Sequence, residues 1–413
     1  MPKKRGPLLA LLCAEIVSVS GSLITRVALP WFVLATTGSV ARMSMVLAVQ
    51  MLSMAVWGIP GGVLAARLGT RAFMRLADGA RALLVALVPL LHWLDRLTFP
   101  VLLALVFLIG GFFTPYYASQ RVLLPELVGD DERLLTRANT LLMAANRVTL
   151  LIGAPIGGVL VAAFGAQRVL WIDAGSFWLS FLLISLFVRT GRAVPSTTGG
   201  EELLAGIRFL WQDRVLRLWT VANIAFEMAW QCVFAAIPIL AFSRYHDDPR
   251  VVGGLLAVFG VGAVLGNVLV IPLMKAVRPI RLMTLGAVAE SLVLWTAVID
   301  VHLVTFGVVL CLGGVFMGFI EGPTAALQTR RTPPGLRPQS MSAFMTLTLV
   351  AGALGLTMTG PAFQAFDARI PFAVVATLYS SGAALLMLSA ARLAAEPAAD
   401  EPALSDSRTK DPA

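Results

Sequence analysis

Residues Gly58 to Arg81 read GIPGGVLAARLGTRAFMRLADGAR. An apolar run stops at Ala65, and Arg67, Arg71 and Arg75 follow at helical spacing around Gly69. A second apolar run begins almost at once. So short a turn between two membrane-length runs makes them antiparallel neighbours. Three arginines and no acid hold that turn on the cytoplasmic side of a bilayer.

The rest of the chain agrees with a membrane setting. Of 413 residues, 58% are hydrophobic and 13% charged, and the mean hydropathy is +0.84. A soluble domain cannot hide that much apolar surface, so most of it faces lipid. The formal charge of +9 does not mark a nucleic-acid binder, because the basic residues sit in short loops between apolar runs. Cys13, Cys232 and Cys311 fall inside apolar runs, with no pairing or metal spacing. His92, His246 and His302 fall in outer loops and form no ligand cluster. The run after Lys3, Lys4 and Arg5 is long and lacks a small-residue cleavage site, which reads as a retained first span.

Twelve spans follow from the roughly 20 apolar residues each needs. They lie at about 8–34, 43–65, 73–91, 100–119, 139–164, 169–187, 216–242, 251–273, 282–301, 304–327, 340–363 and 370–393. With both termini inside, the N-terminus, tail and inner loops hold about 23 of the 32 Lys and Arg residues. Six lie outside: Arg42, Arg96, Arg168, Arg244, Arg250 and Arg369. Two inner segments are longer, 120–137 and 188–215. The second holds a Pro/Ser/Thr/Gly linker and an amphipathic helix, Glu201 to Gln212, with Leu203, Leu204, Ile207 and Leu210 on one side. The expected division is therefore 1–190, a six-helix bundle; 191–215, a cytoplasmic linker; 216–393, a second six-helix bundle; and 394–413, a disordered tail. Lys275, Arg278 and Arg281 form the second half's own basic turn, as an internal parallel repeat requires.

Gly62, Leu64, Ala65, Arg67, Gly69 and Arg71 resemble the G-x-L-A-D-R-x-G-x-R loop of the major facilitator superfamily of transporters. Ala66 departs from it, standing where the family pattern has the Asp that helps latch the two halves. Further stretches are similar to the twelve-span exporter branch that includes macrolide efflux proteins and the enterobactin exporter. They are 77–81, 124–128, 138–139, 206–210 and 253–256. Gly153, Pro155, Gly157 and Gly158 are similar to the G-P-x-x-G-G signature of antiporters, with Pro155 one residue late. Two readings of that stretch stand: an antiporter motif, or ordinary close helix packing. The resemblance implies an all-α membrane protein with twelve transmembrane helices in two bundles and both termini cytoplasmic. It also implies a monomer in the bacterial inner membrane that exports a small amphiphilic organic compound by alternating access, with the proton gradient rather than a cofactor as its energy source.

Each ionisable residue within a span costs at least about 2.5 kcal/mol near the bilayer centre. Glu15 and Arg26 are eleven residues apart in span one, so they face the same way, roughly 16 Å apart. Asn223, Glu227 and Gln231 form one polar line on span seven, and Glu321 shares a face of span ten with Gly314 and Gly318. The resemblance places spans one, four, seven and ten around the central path. Glu15, Arg26, Glu227 and Glu321 then line it, with Tyr116 of span four as an aromatic contact. A carboxylate there can take and release a proton, Glu227 first and Glu15 second. For Glu15 the alternatives are pairing with a neighbouring helix or snorkelling to the surface. For Arg26 they are an anionic-substrate contact or a structural ion pair. Asp78 and Arg81, three apart on span three, read as a structural pair beside the gating loop. Arg147 faces the cavity or holds the inner gate, and Asp173 and Glu290 take structural roles.

No P-loop, H-E-x-x-H, G-x-S-x-G or metal-ligand spacing occurs, so neither an enzyme nor a nucleic-acid partner is expected. The rival expectations are a lipid flippase or an importer of the same fold, and a non-transporting membrane receptor or scaffold.

Overall fold

A computed structural model describes residues 5–128, 153, 155–188, 200–244, 248–277, 279–299 and 302–395. Arg147, Arg278, His246, the stretch 138–139 and the tail lie outside the described residues. Among the described residues every regular element is helical.

The first half comprises α1 (Arg5–Thr37), α2 (Val40–Leu68), α3 (Thr70–Trp93), α4 (Phe99–Gly111), α5 (Phe113–Val128), α6 (Pro155–Phe164) and α7 (Ala166–Phe187). The second comprises α8 (Gly200–Gln212), α9 (Arg214–Arg244), α10 (Pro249–Ala276), α11 (Pro279–Ile299), α12 (Leu303–Arg331), α13 (Arg337–Ala365) and α14 (Arg369–Ala395). Ten helices among the described residues are long and apolar enough to cross a membrane. α3 has the length, at 24 residues, but Arg71, Arg75, Asp78 and Arg81 dilute its first half. The expected fifth span enters the description only at Gly153 and α6.

The turn at Gly69 is one residue long. Gly69 has φ 86°, a conformation that L side chains rarely adopt, and its N–H donates to the carbonyl of Ala65. The helix therefore ends at Leu68 and restarts at Thr70. The expected fourth span is interrupted between α4 and α5. Pro115 has no N–H to give the carbonyl of Gly111, so the ladder breaks at Phe112.

α11 shows how burial sorts its residues. Leu285, Leu292 and Ile299, spaced by seven, are 65%, 66% and 74% exposed, a stripe for lipid. Met283, Ala287, Glu290 and Leu294 are buried on the other side. α10 and α12 approach backbone to backbone. A Cβ at Gly318 would lie 2.6 Å from the Asn267 nitrogen. One at Gly262, Gly266 or Gly314 would fall on the backbone of Cys311, Val315 or Phe259. Small residues at spacing four on both helices permit this contact.

α8 is amphipathic, with a correction. Leu203, Ile207 and Leu210 turn inward, but Leu204 is 65% exposed. The inner line runs 203–206/207–210, and a Cβ at Gly206 would fall on the Gln339 carbonyl. α8 thus lays its apolar side on the start of α13 as well as on α9. Asp213 closes this corner. Its Oδ1 accepts from the amides of Val215 and Leu216, both at 2.8 Å. Its Oδ2 accepts from Arg331 Nε and Nη2 at 3.2 and 3.1 Å. Asp213→Ala is expected to lower the thermal midpoint of the purified protein by an amount equivalent to about 1–3 kcal/mol. The N-cap supplies about 0.5–2 of that, and the ion pair, with side chains 21% exposed, up to about 1. Asp213→Ser, which keeps the cap, is expected to recover the larger part. An unchanged midpoint in the alanine variant would contradict this role.

Candidate functional site

The centre of the molecule gathers one cation, one acid and their polar neighbours from both halves of the chain. Arg26 on α1 is exposed, while Thr25 and Val27 beside it are buried. Its guanidinium acts electrostatically with Tyr117 of α5 and Glu227 of α9. Glu227 is half-buried and accepts a hydrogen bond from Gln231 Nε2 at 2.7 Å. Gln231 sits where α2, α9 and α13 converge: a Cβ at Gly352 would meet Met51 Cε at 2.6 Å and Gln231 Cγ at 3.0 Å. The polar line of span seven is thus continuous over Glu227 and Gln231. Asn223 instead turns its Nδ2 to the Trp219 carbonyl at 2.8 Å.

Further close contacts between the two halves lie beyond this cluster, at the helix ends remote from the Gly69 turn. Trp31 of α1 meets Phe242 of α9 edge to face, with ring centroids 6.1 Å apart. A Cβ at Gly158 would lie 2.7 Å from the Pro249 carbonyl, and one at Gly360 2.6 Å from Ala41 Cα. Gly153 and Gly157 face α1 at Leu23 and Ile24. The Gly-rich stretch therefore packs α6 against α1 and, through Gly158, against α10. Pro155 stands half-buried at the start of α6.

Below the centre lies a second polar cluster. Glu15 is 1% exposed and acts electrostatically on Tyr116 and Tyr117. It shares span one with Arg26 but not its environment: Arg26 is open and Glu15 is enclosed. Asp78, fully buried, accepts from Ser180 Oγ at 2.7 Å, Tyr116 OH at 3.3 Å and Ser18 Oγ at 3.5 Å. Arg81 lies over the rings of Tyr116, Phe177 and Phe113 at 5.2, 5.5 and 5.9 Å. This corrects the expected Asp78–Arg81 ion pair. The two act on each other electrostatically, but the acid is held by hydroxyls and the cation by aromatic faces. Tyr116 is corrected with it. At 2% exposure it binds Asp78 rather than lining an open space, and Tyr117, about 100° further round the helix, takes the central position.

The gating loop is tied to α7. Arg71 Nη2 donates to the Ser185 carbonyl at 2.7 Å, and Arg75 lies 5.6 Å from the Phe181 ring centre. Arg67 is exposed and Gly62 faces open space. Glu321 is exposed, and the Gly314–Gly318 face near it packs on α10. Asp173 is buried on α7, where it accepts from Thr25 of α1 and from Ser176. Glu290 is buried on α11 and accepts from Trp230 Nε1 at 2.7 Å and from the Tyr379 hydroxyl. Sequence reading saw both acids but not these partners. The available signal was an acid on the buried face of an otherwise apolar helix.

The chain matches the Major Facilitator Superfamily over residues 11–356 and again over 220–410. It is 32% identical over 386 residues to the multidrug efflux pump Tap of Mycolicibacterium fortuitum, covering 89% of this chain and 92% of that protein. It is 29% identical over 391 residues to the pump of the same name in Mycobacterium tuberculosis (strain ATCC 25618 / H37Rv), covering 90% of each. Among solved structures, a bacterial homologue of the human lysosomal transporter Spinster, inward-facing and occupied, superposes with a TM-score of 0.73 at 14% identity. That match covers 95% of this chain and 97% of the other. The nucleoside transporter NupG superposes with a TM-score of 0.69 at 13% identity, over 95% and 99% of the two chains. The arginine turn, the apolar helices and the matched length lead to one assignment: this multi-pass membrane protein belongs to the Major Facilitator Superfamily of transporters.

Proposed function

We propose that this transporter exports small amphiphilic organic compounds from the cytoplasm by proton antiport. The observation that carries the reading is the central juxtaposition of Arg26 on α1 with Glu227 on α9, one charge from each half of the chain. Relatives named as multidrug efflux pumps, matched over about nine-tenths of the chain, support the outward direction.

The mechanism follows from charge balance. With Glu227 ionised, Arg26 has an anionic partner across the space between the halves, and the pair draws α1 and α9 together. A proton on Glu227 removes that attraction, and Gln231 can still hydrogen-bond the neutral acid. A substrate with a cationic part competes with the proton for Glu227, and one with an anionic part competes for Arg26. Tyr117 presents a ring with a polar tip to either. In this reading the contacts beyond the cluster at Trp31–Phe242, Gly158–Pro249 and Gly360–Ala41 form the outer seam. Alternating access separates that seam and closes the opposite ends. The reading includes twelve spans in two six-helix bundles, cytoplasmic termini, a monomer and residence in the cytoplasmic membrane, and the distribution of basic residues supports the placement of the termini.

Purified protein in proteoliposomes with an imposed pH gradient tests the reading. A panel of lipophilic cations, macrolides and catecholate siderophores is offered, and flux is followed with the gradient present and collapsed by an ionophore. Gradient-dependent flux supports antiport. Flux indifferent to the gradient contradicts it and leaves a facilitator or lipid flippase, and no flux from any compound contradicts export of these classes. Arg26→Ala is expected to cut flux of anionic compounds at least about tenfold, the scale of a lost charge contact of about 1.5–3 kcal/mol, and to spare cationic ones. Equal loss for both would contradict a substrate contact for Arg26.

A further inference from the structure

Two buried acids stand at matching places in the two halves, and among the described residues only one has a cation beside it. In the order of the chain, α3 of the first half corresponds to α11 of the second. Likewise α1 corresponds to α9, α7 to α14 and the α4/α5 span to α12. Asp78 on α3 is held by Ser18 of α1, Ser180 of α7 and Tyr116 of α5. Glu290 on α11 is held by Trp230 of α9 and Tyr379 of α14, and the charge acting on it from α12 is Glu321. The two frames agree helix by helix.

The difference lies one turn further on. Three residues after Asp78 stands Arg81, whose charge acts on that acid. Three residues after Glu290 stands Val293. The groups that face Glu290 from α9, α12 and α14 are an indole N–H, a second carboxylate and a phenol, none of them a cation. α10, which touches α11 lightly, carries its ionisable residues, Arg250 and Lys275, at its two ends, and Arg281 lies in the first turn of α11. Glu290 itself is fully buried. A carboxylate inside a bilayer without a counter-charge is costly. A proton offsets that cost where the second half has no arginine to do so.

We infer that Glu290 is a proton-carrying carboxyl of the second half, protonated in the arrangement described. The step balances simply: a proton from water binds a Glu290 carboxylate oxygen, and its release to water returns the ionised form. The protonated state of Glu290 stands apart from the export reading. Only its use in coupling rests on that reading.

Infrared difference spectroscopy on purified protein tests it without any substrate. The carbonyl stretch of a protonated carboxylic acid is recorded at neutral pH in wild type and in Glu290→Gln. The glutamine keeps an acceptor for Trp230 and Tyr379, and a wild-type thermal midpoint confirms that the variant folds. The expected result is a carboxylic acid band lost in Glu290→Gln. A band unchanged by Glu290→Gln would overturn the proton on Glu290. Because no flux is measured, failure of antiport in proteoliposomes and failure of this inference are separate outcomes.

Discussion

Gly314→Leu and Gly262→Leu are each expected to yield no stably folded transporter. At both positions the new Cβ falls on main-chain atoms of the facing helix, Phe259 for Gly314 and Cys311 for Gly262. Backbone cannot turn aside as a side chain can, so α10 and α12 must separate along their length. Overpacking typically costs about 1–3 kcal/mol where neighbours can shift. Here the whole seam shifts, so the cost is expected at or above the top of that range, against a total stability of about 5–15 kcal/mol. Gly254→Ala is the control, since nothing stands within 4 Å of its added carbon. The readouts are yield of monodisperse protein and thermal midpoint in detergent. A leucine variant with a wild-type midpoint would contradict the close approach.

Asp78→Leu carries the other large effect. It removes the shared acceptor of Ser18, Tyr116 and Ser180 and leaves Arg81 without its anionic neighbour, all within a buried cluster. Leaving buried hydroxyl donors without their shared acceptor costs about 1–3 kcal/mol, and a buried cation that loses its anionic neighbour adds to that. Asp78→Asn, which still accepts hydrogen bonds, is expected to lose less. Combining Asp78→Leu with Arg81→Met is expected to cost less than the two separate changes together, because the second removes the cation stranded by the first. Thermal midpoints of the four proteins decide this. Strict additivity would show that the two residues do not share one cluster.

These effects also mark where reading the sequence reached its limit. The turn at Gly69 was legible because glycine and its three arginines are local signals, and the helices on either side need only length and apolar content. Gly314 and Gly318 were seen as one face, but their partners on α10 lie about fifty residues earlier. Glu227 and Gln231 were legible as a line because four residues make one turn. Arg26 opposite Glu227 requires knowing which helices of the two halves meet. Tyr116 and Tyr117 could not be told apart by composition, and the structure gives Tyr116 to Asp78 and Tyr117 to the centre. Leu204 failed for a simpler reason: a stripe drawn through 203, 204, 207 and 210 is wider than the surface that α13 and α9 cover. The partners of Glu290, sixty and eighty-nine residues away, leave no local trace at all.

The measurement that bears most directly on proton-coupled export compares wild type with Glu227→Gln in proteoliposomes, following lumenal pH as substrate is added. Glutamine keeps the shape and the hydrogen bond with Gln231 but cannot carry a proton. The account predicts substrate-triggered proton movement in wild type and its loss in Glu227→Gln. Proton movement that survives the substitution would contradict Glu227 as the coupling group.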